Sequence, residues 1–199
     1  MTEEVLTQER LLDIAIFATL KHQGQKRKGS DESPYIIHPL KVAKIIMEIG
    51  GIYDKNIITA ALLHDTIEDT KTTQEELVNL FGEQVTDIVL EVSDDKTLKK
   101  MERKRLQILH APYLSYEAKV IKLADKLDNC RDILSSPPAD WLPRRQQEYI
   151  QWSYDGVAIM CGTNSNIESA FDAFIRDAEE QLDFSIEPIE TLSQRKWAP

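Results

Sequence analysis

Residues 60–70 read AALLHDTIEDT, from Ala60 to Thr70. Four apolar residues lead directly into His64, Asp65, Glu68 and Asp69. An α-helix turns about 100° per residue, so positions four apart share a face. On one continuous helix His64 stacks over Glu68, and Asp65 over Asp69. The apolar run before them predicts that this helix is mostly buried. A buried carboxylate must be paired, protonated or bound to metal. Asp65 beside His64 offers one hard oxygen and one imidazole nitrogen, a mixed set that suits Mn2+, Fe2+ or Zn2+.

Helical periodicity continues on both sides of this stretch. Leu11, Leu12, Ala15, Ile16, Ala18 and Thr19 form the stripe of a first helix that closes near residues 22–24. Pro39 can open a second helix over residues 40–49, and Gly50-Gly51 closes it. The third helix is expected over residues 54–68. Thr73 can cap a short fourth one, with Glu75 and Glu76 in its first turn. Residues 84–92 form another. A polar, basic segment over residues 94–104 leads into a helix that ends before Pro112. Residues 115–134, 141–160 and 166–182 complete the set. No segment alternates between turn signals as a strand does. The expected fold class is all-α, with one domain over residues 1–184. Residues 185–199 lack periodicity and read as a loose C-terminal tail.

A chain of 199 residues can bury a core without disulfide or metal staples. Its two cysteines, Cys130 and Cys161, suggest neither a disulfide framework nor a cysteine zinc site. A reducing cytoplasm is the expected compartment. The first twenty residues carry Glu3, Glu4, Glu9, Arg10 and Asp13, unlike a signal peptide. The longest uncharged run, residues 156–167, is too short and polar to span a membrane. The net charge of −10 opposes binding to nucleic acid or anionic membrane. Neither nucleic acid nor a membrane is an expected partner, and the oligomeric state is left open. Positive charge gathers in two islands: Lys21, Lys26, Arg27 and Lys28, then Lys96, Lys99, Lys100, Arg103, Lys104 and Arg105 around Glu102. Two basic islands on an acidic chain would suit a small, highly anionic ligand. Taken as charge alone, such runs are solvated faces.

Two residues cannot hold a catalytic divalent ion, and the chain has four histidines: His22, His38, His64 and His110. His38, in PYIIHP, sits among loop residues just before a helix start. In KLADKLDN, Asp125 lies between Leu123 and Leu127 at helical spacing, which turns it partly inward. With His64 and Asp65 these complete a set of two nitrogens and two oxygens. Each member has an ordinary alternative. A histidine before proline is commonly a turn residue, and Lys122 and Lys126 are at hand to pair with Asp125. Their order along helical segments, taken together, favours a metal site.

That order resembles the HD superfamily of metal-dependent phosphohydrolases. HQGQKRKGSDESPYIIHPLKVAKII, AALLHDTIEDT, FGEQVTDIVLEVSDDKT and VIKLADKLDNCRDI resemble, more narrowly, the hydrolase domain of the RelA/SpoT alarmone family. The likeness runs from about Leu11 to Ile175. In single-domain form this is the small alarmone hydrolase, the metazoan SpoT homologue included.

The resemblance implies an HD-domain helical bundle and hydrolysis of the 3′-pyrophosphate of (p)ppGpp, with one Mn2+, to GDP or GTP and pyrophosphate. It implies His38, His64, Asp65 and Asp125 as metal ligands, and Glu68 and Asp69 as the pair that handles the attacking water. Asn129 matches a ligand contact near the metal. Arg27 and Lys28 match basic residues at the nucleotide site, with Tyr35 on the same rim. Lys100 and Arg105 are expected to contact phosphate, and Tyr149 resembles a pocket residue. Both basic islands then become functional. One departure is Asp128, where long bacterial members typically have histidine or another neutral residue. A second enzymatic reading uses the same metal site on other nucleotides, notably the 2′-phosphate of NADPH. A catalytically silent alarmone-binding module and a purely structural helical domain are the remaining alternatives.

Overall fold

Residues 57–63 are all buried, and this apolar core helix organises the molecule. The computed structural model of the chain describes residues 6–188. Its helices are α1 (Gln8–Lys21), α2 (Ile37–Glu48), α3 (Lys55–Leu63), α4 (Thr66–Asp69), α5 (Gln74–Phe81), α6 (Glu83–Val92), α7 (Lys100–His110), α8 (Tyr116–Ser135), α9 (Pro143–Ile159) and α10 (Ser165–Leu182). A 3-10 turn, Ala111–Tyr113, joins α7 to α8. Among the described residues there is no strand, only an isolated bridge between Lys26 and Pro34.

Three helices carry the architecture. Helix α3 packs against α1, α2, α6 and α8, and α8 packs in turn against α2, α6, α9 and α10. Helix α2 lies against both α3 and α8. Helices α3 and α8 start where their sequences prescribe. The Asp54 carboxylate accepts from Asn56 N and Ile57 N at 2.8 and 2.9 Å to cap α3. Ser115 Oγ accepts from Ala118 N at 3.1 Å to cap α8. Each such cap is worth about 1 kcal/mol. Gly82, at φ +86°, lets α5 turn directly into α6.

Four boundaries differ from expectation. The helix expected over residues 54–68 breaks after Leu63 and resumes at Thr66. Side chains take its last carbonyls: His64 Nδ1 bonds Ala61 O at 2.8 Å, and Thr66 Oγ1 bonds Leu63 O at 2.7 Å. Local side-chain bonds of this kind compete with the helical ladder. Helix α2 begins at Ile37, so His38 is in its first turn, where Pro39 is tolerated. Helix α7 begins at Lys100, inside the segment expected to be irregular. The tail expected to be loose is tied down at its start. Ile186 N donates to Glu179 Oε1 at 2.7 Å, and Gln151 exchanges two hydrogen bonds with the Glu187 backbone. The rest of that tail, residues 189–199, lies outside the described residues.

Candidate metal centre

The break between α3 and α4 turns His64 and Asp65 toward α2 and α8. His38 Nε2 lies 3.1 Å from Asp125 Oδ1 and 3.7 Å from Asp65 Oδ2. His64 Nε2 lies 3.0 Å from Asp65 Oδ2 and 4.0 Å from Asp125 Oδ1. Donor atoms of His38, His64 and Asp65 all fall within 4.8 Å of one another.

The other ring nitrogens decide what these atoms can do. His38 Nδ1 is 2.7 Å from Asp128 Oδ2, and His64 Nδ1 is 2.8 Å from Ala61 O. Both partners are acceptors, so each Nδ1 carries a proton, and each ring, once neutral, aims its Nε2 lone pair inward. His64 Nε2 is buried and makes no hydrogen bond, despite its closeness to Asp65. Two lone pairs thus converge on two carboxylates, an arrangement that only protons or a cation can stabilise. The shifts in proton affinity agree. Burial favours neutral Asp65, yet His64 and His38 hold it well below the usual carboxylate range. Asp125 is held low too, by His38 against its burial. Burial depresses His38, but its bonds to Asp125 and Asp128 more than offset this and raise it to about 9. The donor set fits a divalent transition ion.

The sequence profile of the HD domain family matches residues 15–153. The chain belongs to the HD domain family. A fold of this family implies a divalent metal, and His38, His64 and Asp65 form a possible site for it. The chain is 52% identical over 167 residues to the Xenopus tropicalis guanosine-3′,5′-bis(diphosphate) 3′-pyrophosphohydrolase MESH1, covering 84% of this chain and 93% of that one. It is 50% identical over 161 residues to the Homo sapiens MESH1, covering 81% and 90%. It is similar to the solved structure of a metazoan ortholog of SpoT that hydrolyses ppGpp and plays a role in starvation responses. There the TM-score is 0.83 at 42% identity, covering 86% of this chain and 96% of the other.

Around this HD centre the chain forms an open pocket of about 600 Å3. Glu68 and Asp69, on α4, line it beside His64 and Asp65. Glu68 accepts from Asp94 N at 3.0 Å and pairs with Lys96 at 3.1 Å and Arg103 at 3.6 Å. Burial raises its proton affinity above the ordinary carboxylate value. Asp69 pairs with Lys96 at 2.6 Å. Arg27 reaches the pocket from the loop before α2. That loop passes close to the end of α8: a Cβ on Gly29 would stand 2.6 Å from Ser136 O, too close for any other residue. Arg27 donates to Asp132 Oδ2 at 3.0 Å and to Asn129 Oδ1 at 2.8 Å, and Asn129 donates to Asp125 Oδ1 at 2.5 Å. Lys28, Lys100 and Tyr149 also line the pocket.

One expected residue sits elsewhere, and one does more than line the rim. Tyr35 lines the pocket, and its hydroxyl turns inward to donate to Asp65 Oδ2 at 2.7 Å and to Asp69 Oδ2 at 3.3 Å, bracing the Asp65 carboxylate. Arg105 does not line the pocket and pairs with Glu102 at 2.7 Å on an exposed face. Helical phase explains this: Lys100, Arg103, Lys104 and Gln107 share the pocket side of α7, and Arg105 points away.

Sequence reasoning missed several members. Asp128 and Asp132 follow Asp125 at three and seven residues, so the acids of α8 lie on one face. Lys104 lies over the Trp152 ring at 4.1 Å, with Lys126 over the same ring at 3.2 Å. Burial, then Lys126, Arg145 and Lys100, bring the Lys104 ammonium down to about 7. Trp141, Tyr149 and Trp152 follow one another at centroid distances of 5.5–5.6 Å with their rings tilted, giving the pocket an aromatic wall. The phase of α7 and the tryptophan spacing were the available signals.

Proposed function

We propose that this chain is a Mn2+-dependent hydrolase that removes the 3′-pyrophosphate from guanosine-3′,5′-bis(diphosphate) and its pentaphosphate. The observation that carries the reading is the pocket's polarity: four inward-facing metal donors at one end, and cations in excess along the wall. The MESH1 relatives, matched over more than nine-tenths of the Xenopus chain, carry that activity in their name.

His38, His64, Asp65 and Asp125 hold the ion in this reading. A divalent ion there supplies Lewis acidity toward water and phosphoryl oxygens. Glu68 takes the proton of the attacking water. Its raised proton affinity suits an acceptor working near neutral pH. Lys96 and Arg103 hold Glu68 in place, and Asp69 fixes Lys96 from the other side. Water adds to phosphorus and a proton goes to the departing 3′-oxygen. The products are a nucleotide with a free 3′-hydroxyl and pyrophosphate. Lys28, Lys100 and Lys104 offset phosphate charge that would otherwise be repelled by the acidic centre. Arg27, fixed by Asp132 and Asn129, presents a rigid guanidinium to the nucleotide. Tyr149 and Trp141 give the wall aromatic surface against which a base could lie, and the cations over Trp152 keep positive charge beside it.

The test is a metal-stripped assay with Mn2+, Fe2+ or Zn2+ added back, on ppGpp and on NADPH. Pyrophosphate and orthophosphate are followed separately. Mn2+-dependent pyrophosphate release from ppGpp is expected. Orthophosphate from NADPH with no turnover of ppGpp would keep the metal chemistry and overturn the substrate. Turnover of neither, with metal bound, would leave a binding module.

A further inference from the structure

The two histidines of the centre are backed differently. His64 gives its Nδ1 proton to a neutral backbone carbonyl, Ala61 O, at 2.8 Å. His38 faces a carboxylate, Asp128 Oδ2, at 2.7 Å. Asp128 is 2% exposed, so its charge must be met inside the protein. Two cations stand near it but at longer range: Lys41 Nζ at 3.8 Å and Arg27 Nη2 at 3.9 Å. Both have a closer partner in Asp132, at 3.0 and 2.9 Å respectively. Asp132 therefore absorbs the two cations, and Asp128 is left committed to His38.

The helix makes this possible. Asp125 and Asp128 are three residues apart on α8, so they share a face. One turn of α8 thus offers a carboxylate to the metal-binding end directly and a second carboxylate to the back of His38. A carboxylate behind a ligating imidazole fixes its tautomer and ring orientation and makes its far nitrogen a stronger donor.

We infer that Asp128 is a positioning residue that sets the divalent-ion affinity of the site through His38. The inference rests on the metal reading given above. The two fail differently, because the first measurement concerns the unsubstituted chain and the second a comparison of variants.

The experiment is chelator competition with Mn2+ and Zn2+ on the stripped full-length protein, with no substrate present. Asp128→Asn keeps the shape and an oxygen acceptor but removes the charge. Asp128→Leu removes the acceptor as well. Loss of an outer partner of a metal-binding histidine typically weakens affinity roughly 10- to 100-fold. The expected order is about tenfold weaker for Asp128→Asn and about a hundredfold for Asp128→Leu. Glu48→Gln, which removes an exposed acid of α2 paired with Lys44 and leaves Asp128 and His38 untouched, should keep the affinity of the original chain. Circular dichroism checks the fold, and if Asp128→Leu does not fold, Asp128→Asn carries the test. An unchanged affinity in a folded Asp128→Asn overturns the inference alone. Equal weakening by Glu48→Gln also overturns it, because the effect would then be general loss of negative charge. If the unsubstituted chain binds no divalent ion, the metal reading falls and the inference with it.

Discussion

The Tyr35 hydroxyl donates to Asp65 Oδ2 at 2.7 Å, the same oxygen that lies 3.0 Å from His64 Nε2 and 3.7 Å from His38 Nε2. A phenol in this position limits which lone pairs Asp65 turns inward. It can do so at any working pH, because burial, then Asp65, raise the Tyr35 hydroxyl far above its ordinary value. Tyr35→Phe keeps the ring against His22 and His38 but frees the carboxylate. Divalent-ion affinity should fall about tenfold, as for other outer partners of ligating groups. Chelator competition measures it, and an affinity equal to the original removes Tyr35 from the centre.

Glu68→Gln separates metal binding from turnover. The amide retains the hydrogen bond from Asp94 N but cannot accept a proton. Metal affinity should stay the same while kcat falls by about 10² to 10⁴, the usual contribution of a positioned base. In the original enzyme, the acid limb of kcat should sit above the ordinary carboxylate value of 4.5, because burial raises Glu68. Activity is lost as pH falls through that raised value. An unchanged kcat in the variant would assign the proton transfer elsewhere.

Lys104 should make substrate affinity depend on pH near neutrality. Burial, then the cations Lys126, Arg145 and Lys100, lower its ammonium to about 7. Below that pH it is charged and attracts phosphate; above it the charge is lost. KM for ppGpp should therefore rise between pH 6 and 9 while kcat changes less. Lys104→Arg, charged throughout, should flatten the profile. The same shift acts on stability with a definite sign. Between about 7 and the ordinary 10.5, unfolded Lys104 holds a proton that the folded chain does not. This group's contribution to stability therefore increases with pH across that window. A KM that is flat from pH 6 to 9 in the original enzyme would deny Lys104 a role in binding.

Helical phase on α7 gives a paired test. Lys100 lines the pocket and Arg105 does not. Lys100→Ala should raise KM several-fold, on the order of one charged contact of about 1 kcal/mol or more. Arg105→Ala should leave KM within about twofold, since an exposed pair such as that with Glu102 is worth little. The reverse result would put the phosphates on the other side of α7.

Most of the fold is legible in residue spacing. The apolar run at residues 57–63 does specify a buried helix, and Asp54, Thr73 and Ser115 cap the helices that follow them. What periodicity cannot show is competition for carbonyls. The same letters that read as a continuous helix through Glu68 contain His64 and Thr66, whose side chains end α3. The approach of His38, His64, Asp65 and Asp125 could be anticipated from their types and order. The contacts behind them could not. Asp128 and Tyr35 join the centre through pairings 90 and 30 residues apart in sequence, and no local pattern encodes such pairings. The error on Arg105 is of another kind. The phase of α7 separates Lys100 from Arg105 only when the helix begins at Lys100, inside the basic segment that carries no apolar periodicity of its own.

Leu63 tests whether the core fixes the site. It is fully buried, and it ends α3 immediately before His64. Its carbonyl accepts from Thr66 Oγ1, so the backbone turn that aims His64 and Asp65 begins on this residue. Leu63→Ala removes packing from the junction of α3 with its neighbours. Stability should fall by about 2–5 kcal/mol, the range for such truncations. If the core also holds the ligands rigidly, metal affinity measured well below the melting temperature should drop as well, because the turn can then relax into the cavity. Leu77→Ala, a truncation of an equally buried leucine on α5, should cost similar stability without that loss of affinity. Urea unfolding and chelator competition on the two variants separate the effects. Equal metal affinities would mean that the two side-chain bonds to Ala61 O and Leu63 O hold the turn without help from the packing beneath it.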